Sequence, residues 1–170
     1  MKEIASWAPP KCTLDLLPDN VVEYRVPPGW SLANAEVENG NGNGAEGSPY
    51  SLTIQPGGTA VSPQMCISNE YPTFRFFVRQ LSGNGTLNVS LRWRDALGFP
   101  HTTNVGSLDP GTGWELSPAM DLASRLPLWM PGNSLKVSLA FESSRGMGFG
   151  EDQEGGTFAI DDVYVDPYSR

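Results

Sequence analysis

Residues 86–94, TLNVSLRWR, alternate without a break. Leu87, Val89, Leu91 and Trp93 fall on one side, and Thr86, Asn88, Ser90, Arg92 and Arg94 on the other. Successive side chains of a β-strand point to opposite faces, so this period of two specifies a strand with one apolar and one wet face. The run before it behaves alike. Residues 73–80 put Phe74, Phe76 and Val78 on one face, and Arg75, Phe77 and Arg79 on the other. Gly83-Asn84-Gly85 between the runs is a hairpin turn signal. The expectation is an antiparallel pair with one wet face.

The remainder fits the same pattern. Gly 19 and Pro 15 in 170 residues suit short strands joined by turns. Further strands are expected at 12–17, 21–26, 30–37, 50–54, 60–67, 102–108, 134–141 and 157–165. Residues 38–49, ENGNGNGAEGSP, read as a mobile hairpin tip, because their Gly and Asn cannot hold a core position. Residues 114–129 are ambiguous: Ser117-Pro118 opens a helical turn as readily as an irregular strand. About nine strands, little helix and no repeat call for two antiparallel sheets packed face to face, best met by an all-β jelly-roll β-sandwich. Residues 11–170 form one domain, preceded by a loose lead-in over residues 1–10.

Charge narrows the function. The net charge of −8 and pI near 4.5 oppose nucleic acid, whose phosphates want a basic surface. No apolar run reaches the roughly 20 residues of a membrane helix, and residues 1–10 lack the apolar core of a secretory leader. The two cysteines, Cys12 and Cys66, are too far apart for a CxxC redox or zinc pattern. They read as one disulfide or as two buried thiols. A bridge would close a loop of about 54 residues, stabilise by roughly 4 kcal/mol on the chain-entropy model, and imply an extracellular or cell-surface setting.

Catalytic signatures are missing. The single histidine, His101, excludes HExxH and two-histidine metal sites, and no GxSxG elbow presents a serine. His101 reads as a loop-edge side chain beside Pro100. Two features ask for another explanation. Asp161 and Asp162 interrupt an apolar strand, which normally avoids Asp. One of the two must aim into the packed layer unless a bulge intervenes, and a buried carboxylate needs a cation or several donors. A calcium ion and a hydrogen-bonded cap both satisfy that demand. The second feature is basic: four of the 11 basic residues, Arg75, Arg79, Arg92 and Arg94, fall on the outward side of the expected hairpin, with Phe77 among them. Such a face suits a hydroxylated or anionic glycan, since Arg binds carboxylates in a bidentate way. The alternative is a solvated face paired with acids from neighbouring loops. Trp114 and Trp129, in irregular context, are candidate sugar platforms, whereas Trp93 is expected in the core.

The ending FAIDDVYVDPY (158–168), preceded by SLKVSLAFES (134–143), resembles the last two strands of jelly-roll carbohydrate-binding modules and galactose-binding-like domains. Their final strand commonly reads as an aromatic or apolar residue, then Ile-Asp-Asp/Asn-Val/Ile. The resemblance takes in Pro28-Gly29-Trp30 and Gly113-Trp114, and its motif is specific over about ten residues. It implies a structural calcium between an N-terminal strand and the last strand, with Asp161 as first ligand, Asp162 as second, and Asp15, Asp19 or Glu23 as partners. It also implies a non-catalytic module that binds a glycan or polysaccharide, within a larger parent protein. Two other classes compete: a structural or adhesion domain making protein or self contacts, and a small glycan-active enzyme using two carboxylates.

Overall fold

The computed structural model of the protein describes residues 29–43, 49–68, 73–95, 97–122, 134–144 and 155–166. Among them ten strands form and no helix: β1 (Ser31–Asn39), β2 (Tyr50–Val61), β3 (Met65–Ser68), β4 (Thr73–Ser82), β5 (Leu87–Arg94), β6 (Pro100–Leu108), β7 (Glu115–Leu116), β8 (Met120–Asp121), β9 (Ser134–Ser143) and β10 (Thr157–Asp166). Every ladder is antiparallel. The hydrogen-bonded path runs β6-β5-β9-β2-β10-β4-β7, with β1 on β2, β3 on β9 and β8 on β4.

This path is one strongly curled sheet whose halves face each other, and β2 belongs to both. Leu52–Ile54 pair with β10, whereas Thr59–Val61 pair with β9. The corner between them needs unusual backbone. Gly57 has φ +71, and a Cβ at Gly58 would run into the Asn34 carbonyl oxygen. Asn34 itself is left-handed, φ 51, at the register shift between Ala33 and Ala35. Its Nδ2 donates to the Pro56 carbonyl at 3.1 Å. Asn tolerates that conformation better than other non-glycine residues, so the bend is written into side chains on both strands.

The apolar stripes meet inside the curl. Leu52, Ile54, Phe74, Phe76, Val78, Phe158 and Ile160 come from one half, and Leu87, Val89, Leu91, Val137, Leu139 and Phe141 from the other. Phe141 ties the halves together. Its ring lies edge-on to Phe76 at 5.1 Å and stacks with Trp30 at 6.3 Å.

The jelly-roll architecture expected from alternation is the one observed, but two local expectations change and one open alternative is settled. The runs 73–80 and 86–94 do not form a hairpin. β4 pairs with β10, β7 and β8, while β5 pairs with β6 and β9. Gly83-Asn84-Gly85 arches from one half of the curl to the other. A strand with one apolar face can sit beside its neighbour or opposite it across a core, and alternation alone is the same in both cases. The Gly83 position, φ +72, has the Gly155 carbonyl oxygen where a side chain would stand, so the arch threads past the start of β10. Second, runs 50–54 and 60–67 divide differently, into the long β2 and the short β3. Third, of the two alternatives left open at Ser117-Pro118, the irregular strand forms and the helical turn does not. Ser117 N–H donates to the Phe76 carbonyl at 2.8 Å, and Phe76 N–H donates to Ser117 Oγ at 3.1 Å. The expected strands at 12–17 and 21–26, the lead-in over residues 1–10, and Cys12 with its bridge to Cys66 lie outside the described residues.

Phe141→Ala is expected to cost about 3–5 kcal/mol, because it empties the contact between both halves. Urea unfolding checks this: the midpoint should fall with little change in slope, and a loss under about 1 kcal/mol would show that the halves do not depend on this ring.

Candidate functional site

The acid pair is resolved by a bulge. β10 follows β4 in register to Asp161, opposite Phe77, and resumes with Tyr164 opposite Arg75. The extra length is taken up at Asp162, whose φ of 46 places it in the left-handed region. Strict alternation is therefore broken, and both carboxylates are buried, each 1% exposed. Their donors are specific. Asp162 N–H donates to Asp161 Oδ1 at 2.9 Å, Asn43 N–H donates to Asp161 Oδ2 at 2.9 Å, and Asn43 Nδ2 donates to Asp162 Oδ2 at 2.8 Å. Asp162 Oδ1 is buried with no hydrogen-bond partner among the described residues. Ser51 Oγ, one residue before the Leu52–Ile160 pair, is buried and unpartnered as well.

The expected mobile tip at 38–49 is thus anchored at its start. Gly40, Asn41 and Gly42 all donate their N–H to the Pro49 carbonyl, at 2.7, 3.1 and 3.1 Å. This fold brings Asn43 over the closing strand. Nearby on the same sheet face, Thr53 Oγ1 donates to Glu38 Oε2 at 2.8 Å.

The arginine face divides in two, because its expected hairpin does not exist. Arg75, Phe77 and Arg79 lie on β4 in one half of the curl, next to β7, where Phe77 pairs with Leu116. Trp114 joins them: the Arg79 guanidinium sits 4.9 Å from the centre of its ring. Arg92 and Arg94 lie on β5 in the other half. Trp129 is outside the described residues.

The outer side of β5, β9 and β6 is a polar surface in register. One row runs Thr59, Glu142, Asn88, Ser107; the next runs Val61, Ala140, Ser90, Asn104; a third runs Ser138, Arg92, Thr102. Small residues form its centre. Ala140 is 0% and Ser90 8% exposed although both point away from the core. Their neighbours cover them, and the accessible groups of this face are the longer side chains around them. Arg92 Nη2 pairs with Glu142 Oε1 at 2.7 Å beside it, and Ser107 Oγ donates to Asn88 Oδ1 at 2.7 Å. Glu142 continues the outward series Lys136, Ser138, Ala140 by one more step of two. Its place on a strand was readable, but β9 runs further than the apolar alternation that marks it.

The β5–β6 connection carries several hydrogen bonds among its described residues. Asp95 Oδ1 accepts from Leu97 N–H and Phe99 N–H, both at 2.9 Å. Arg94 Nη1 donates to the Gly98 carbonyl at 2.8 Å. His101 is more than a loop-edge side chain: its Nε2 lies 2.9 Å from Asp95 Oδ2, and its ring stacks on Trp93 at 4.3 Å. The turn presents Leu97, 82% exposed, and Phe99, 61% exposed, to solvent.

With that geometry in hand, solved structures place the fold. The xylan-binding module CBM22-1 of Paenibacillus barcinonensis Xyn10C is similar, with a TM-score of 0.53, 14% identity, and coverage of 79% of this chain and 83% of that one. The CBM22-1–GH10 modules of Clostridium thermocellum xylanase 10B, complexed with xylohexaose, give a TM-score of 0.52 at 11% identity over 83% of this chain and 26% of that one. The K1 cleaved adhesin domain of Lys-gingipain from Porphyromonas gingivalis W83 gives 0.53 at 12% identity, over 85% and 94%. No family model and no curated protein sequence matches the chain. The structural neighbours are mainly carbohydrate-binding modules, and they identify the chain as a jelly-roll domain of their architecture.

The turn yields a pH prediction. The hydrogen bond from His101 holds the Asp95 carboxyl below its ordinary value; Phe99 N–H and Leu97 N–H add to the effect, and partial desolvation opposes it. A carboxyl depressed by folding stabilises above its unfolded pKa, and that contribution fades as pH falls through the folded pKa. The Leu97 and Phe99 amides should therefore stay protected until the pH drops below the usual carboxylate range. His101→Ala should move their loss of protection to higher pH. An NMR titration checks this, and an unshifted midpoint in the variant would refute the role given to His101.

Proposed function

We propose that the chain is a non-catalytic glycan-binding module whose ligand lies along the outer side of β5, β9 and β6. The observation that carries this is the half-exposed Arg92–Glu142 pair standing in register beside the solvent-facing Asn88, Ser107, Asn104 and Thr102. A sugar presents closely spaced hydroxyls that each need a donor or an acceptor. Arg92 offers N–H donors and Glu142 carboxylate acceptors side by side, while Asn88, Ser107, Asn104 and Thr102 extend the row. Arg94 and Lys136 add cationic character suited to carboxylated sugars. The predominance of carbohydrate-binding modules among the structural neighbours supports the class. A polysaccharide ligand also fits an extracellular or surface location and a larger parent protein.

The same proposal includes a structural calcium at Asp161 and Asp162. The fit rests on two adjacent buried carboxylates, one of which has an oxygen with no donor. Calcium is a hard cation that takes oxygen ligands, and backbone carbonyls or water complete its shell. No third acidic, histidine or cysteine side chain joins them among the described residues. The ion would neutralise the pair; Asp161 and Asp162 would hold it where β10 bulges.

A second reading, an adhesion domain, is favoured by one observation: the hydrogen-bonded β5–β6 turn holds Leu97 and Phe99 in water. Burying such side chains against a partner gains roughly 1.5–3 kcal/mol each. Its neighbour among adhesin domains has the same fold.

A glycan array separates these readings. Arg92→Ala with Glu142→Ala should weaken the best wild-type ligand by about 10-fold or more, and Arg79→Ala with Trp114→Ala should leave it unchanged. The reverse pattern moves the site to β4 and β7. An array on which the wild type binds nothing, with self-association lost in Leu97→Ser/Phe99→Ser, favours adhesion. For calcium, titration of chelator-stripped protein should release or absorb heat and raise the Tm; neither change would reject the ion.

A further inference from the structure

Asn43 holds both members of the acid pair from outside β10, through its backbone N–H to Asp161 and its side-chain amide to Asp162. Its neighbours are bound in turn: the N–H groups of Gly40, Asn41 and Gly42 converge on the single carbonyl of Pro49. Loop order and carboxylate orientation are therefore parts of one hydrogen-bonded unit. The two Asn43 donors sit on Oδ2 of each aspartate, and they leave the buried Asp162 Oδ1 without a partner among the described residues. Two adjacent carboxylates repel, and fixed N–H donors are what neutral groups can offer against that repulsion.

We infer that Asn43 is a positioning residue that couples cation occupancy at Asp161 and Asp162 to the order of residues 40–43. The inference rests on the calcium reading above. Ligating carboxylates are commonly held by outer hydrogen bonds, which aim their free oxygens and whose loss costs 10–100-fold in metal affinity. Here the outer partner comes from a Gly-rich loop rather than a rigid strand. A cation that fixes the carboxylates relieves their mutual repulsion and holds Oδ2 of each in the orientation Asn43 needs, so residues 40–43 are ordered with it. By reciprocity, ordered residues 40–43 raise cation affinity by the same factor. Residues 40–43 thereby become a calcium-responsive element next to the closing strand.

Asn43→Ala tests this, because it removes the Nδ2 donor and keeps the backbone N–H. Calcium is titrated calorimetrically into wild type and variant, and amide hydrogen exchange is followed with and without the ion. In wild type, calcium should slow exchange at Gly40, Asn41 and Gly42. In the variant, affinity should fall about 10–100-fold, and the slowing at residues 40–42 should vanish even at saturating calcium, while β10 amides remain slowed. Unchanged exchange of the Phe141 and Leu139 amides would confirm that the variant is folded. Calcium heat in wild type without any effect at residues 40–42 overturns the coupling alone, as does a variant identical to wild type. No calcium heat in wild type overturns the metal reading and the coupling with it.

Discussion

The fold depends on one strand serving two sheets. β2 spans 12 residues, and neither end alone would link the two halves of the curl. Its first half shares hydrogen bonds with β10, its second with β9, and β1 accompanies it along both. A strand this long can change partners only by bending, and Gln55 to Gly58 bends because two glycines meet a left-handed Asn34 on the neighbouring strand. Corners of this kind belong to β-sheets that close on themselves, where bulges and glycine kinks turn the chain. Once the corner is set, the apolar sides of β4 and β10 must face those of β5 and β9, and the core follows.

That dependence explains what was legible beforehand. Alternation in residues 73–80 and 86–94 correctly assigned Phe74, Phe76, Val78, Leu87, Val89 and Leu91 to the interior. It was silent on neighbours. Side-chain period is a property of one strand, whereas pairing depends on the path between strands, and Gly83-Asn84-Gly85 suits an arch as well as a hairpin. The arginine face was lost for that reason. Arg75 and Arg79 were read as neighbours of Arg92 and Arg94 through a pairing that does not occur. Phe77 and Trp114 did come together with Arg79, because β7 returns to the same strand.

The acid pair was legible in kind and not in detail. Under strict alternation one of two aspartates between Ile160 and Val163 must face the packed layer, so a bulge was one of the outcomes the pattern allowed. What no local pattern reveals is the donor. Asn43 lies 118 residues before Asp161, in a run of Gly and Asn whose composition reads as solvated loop. A loop is identified by what it cannot bury, and a single Asn in it that reaches a buried carboxylate has no distinguishing neighbour in sequence. Glu142 was missed for a milder reason, being an outward residue at a strand end where the apolar signal has already stopped.

The two outer surfaces of the curl carry different chemistry. On the β10 side, Ser51, Thr53, Ala159 and Asp161 are buried although they lie on the outward rows, so that surface is closed over and its carboxylates are held by donors. On the β9 side the outward residues are polar and open, save for the small residues at the centre. Burying acids and presenting a glycan row are incompatible demands on one surface. The first needs exclusion of water, whereas the second needs groups that have kept their hydrogen-bonding capacity. A curled sheet has two outer sides, and assigning stabilisation of the closing strand to one leaves the other free for a ligand. The charge pattern agrees. In a chain of net charge −8, Arg92, Arg94 and Lys136 gather on the open side, with Glu142 paired to Arg92 among them.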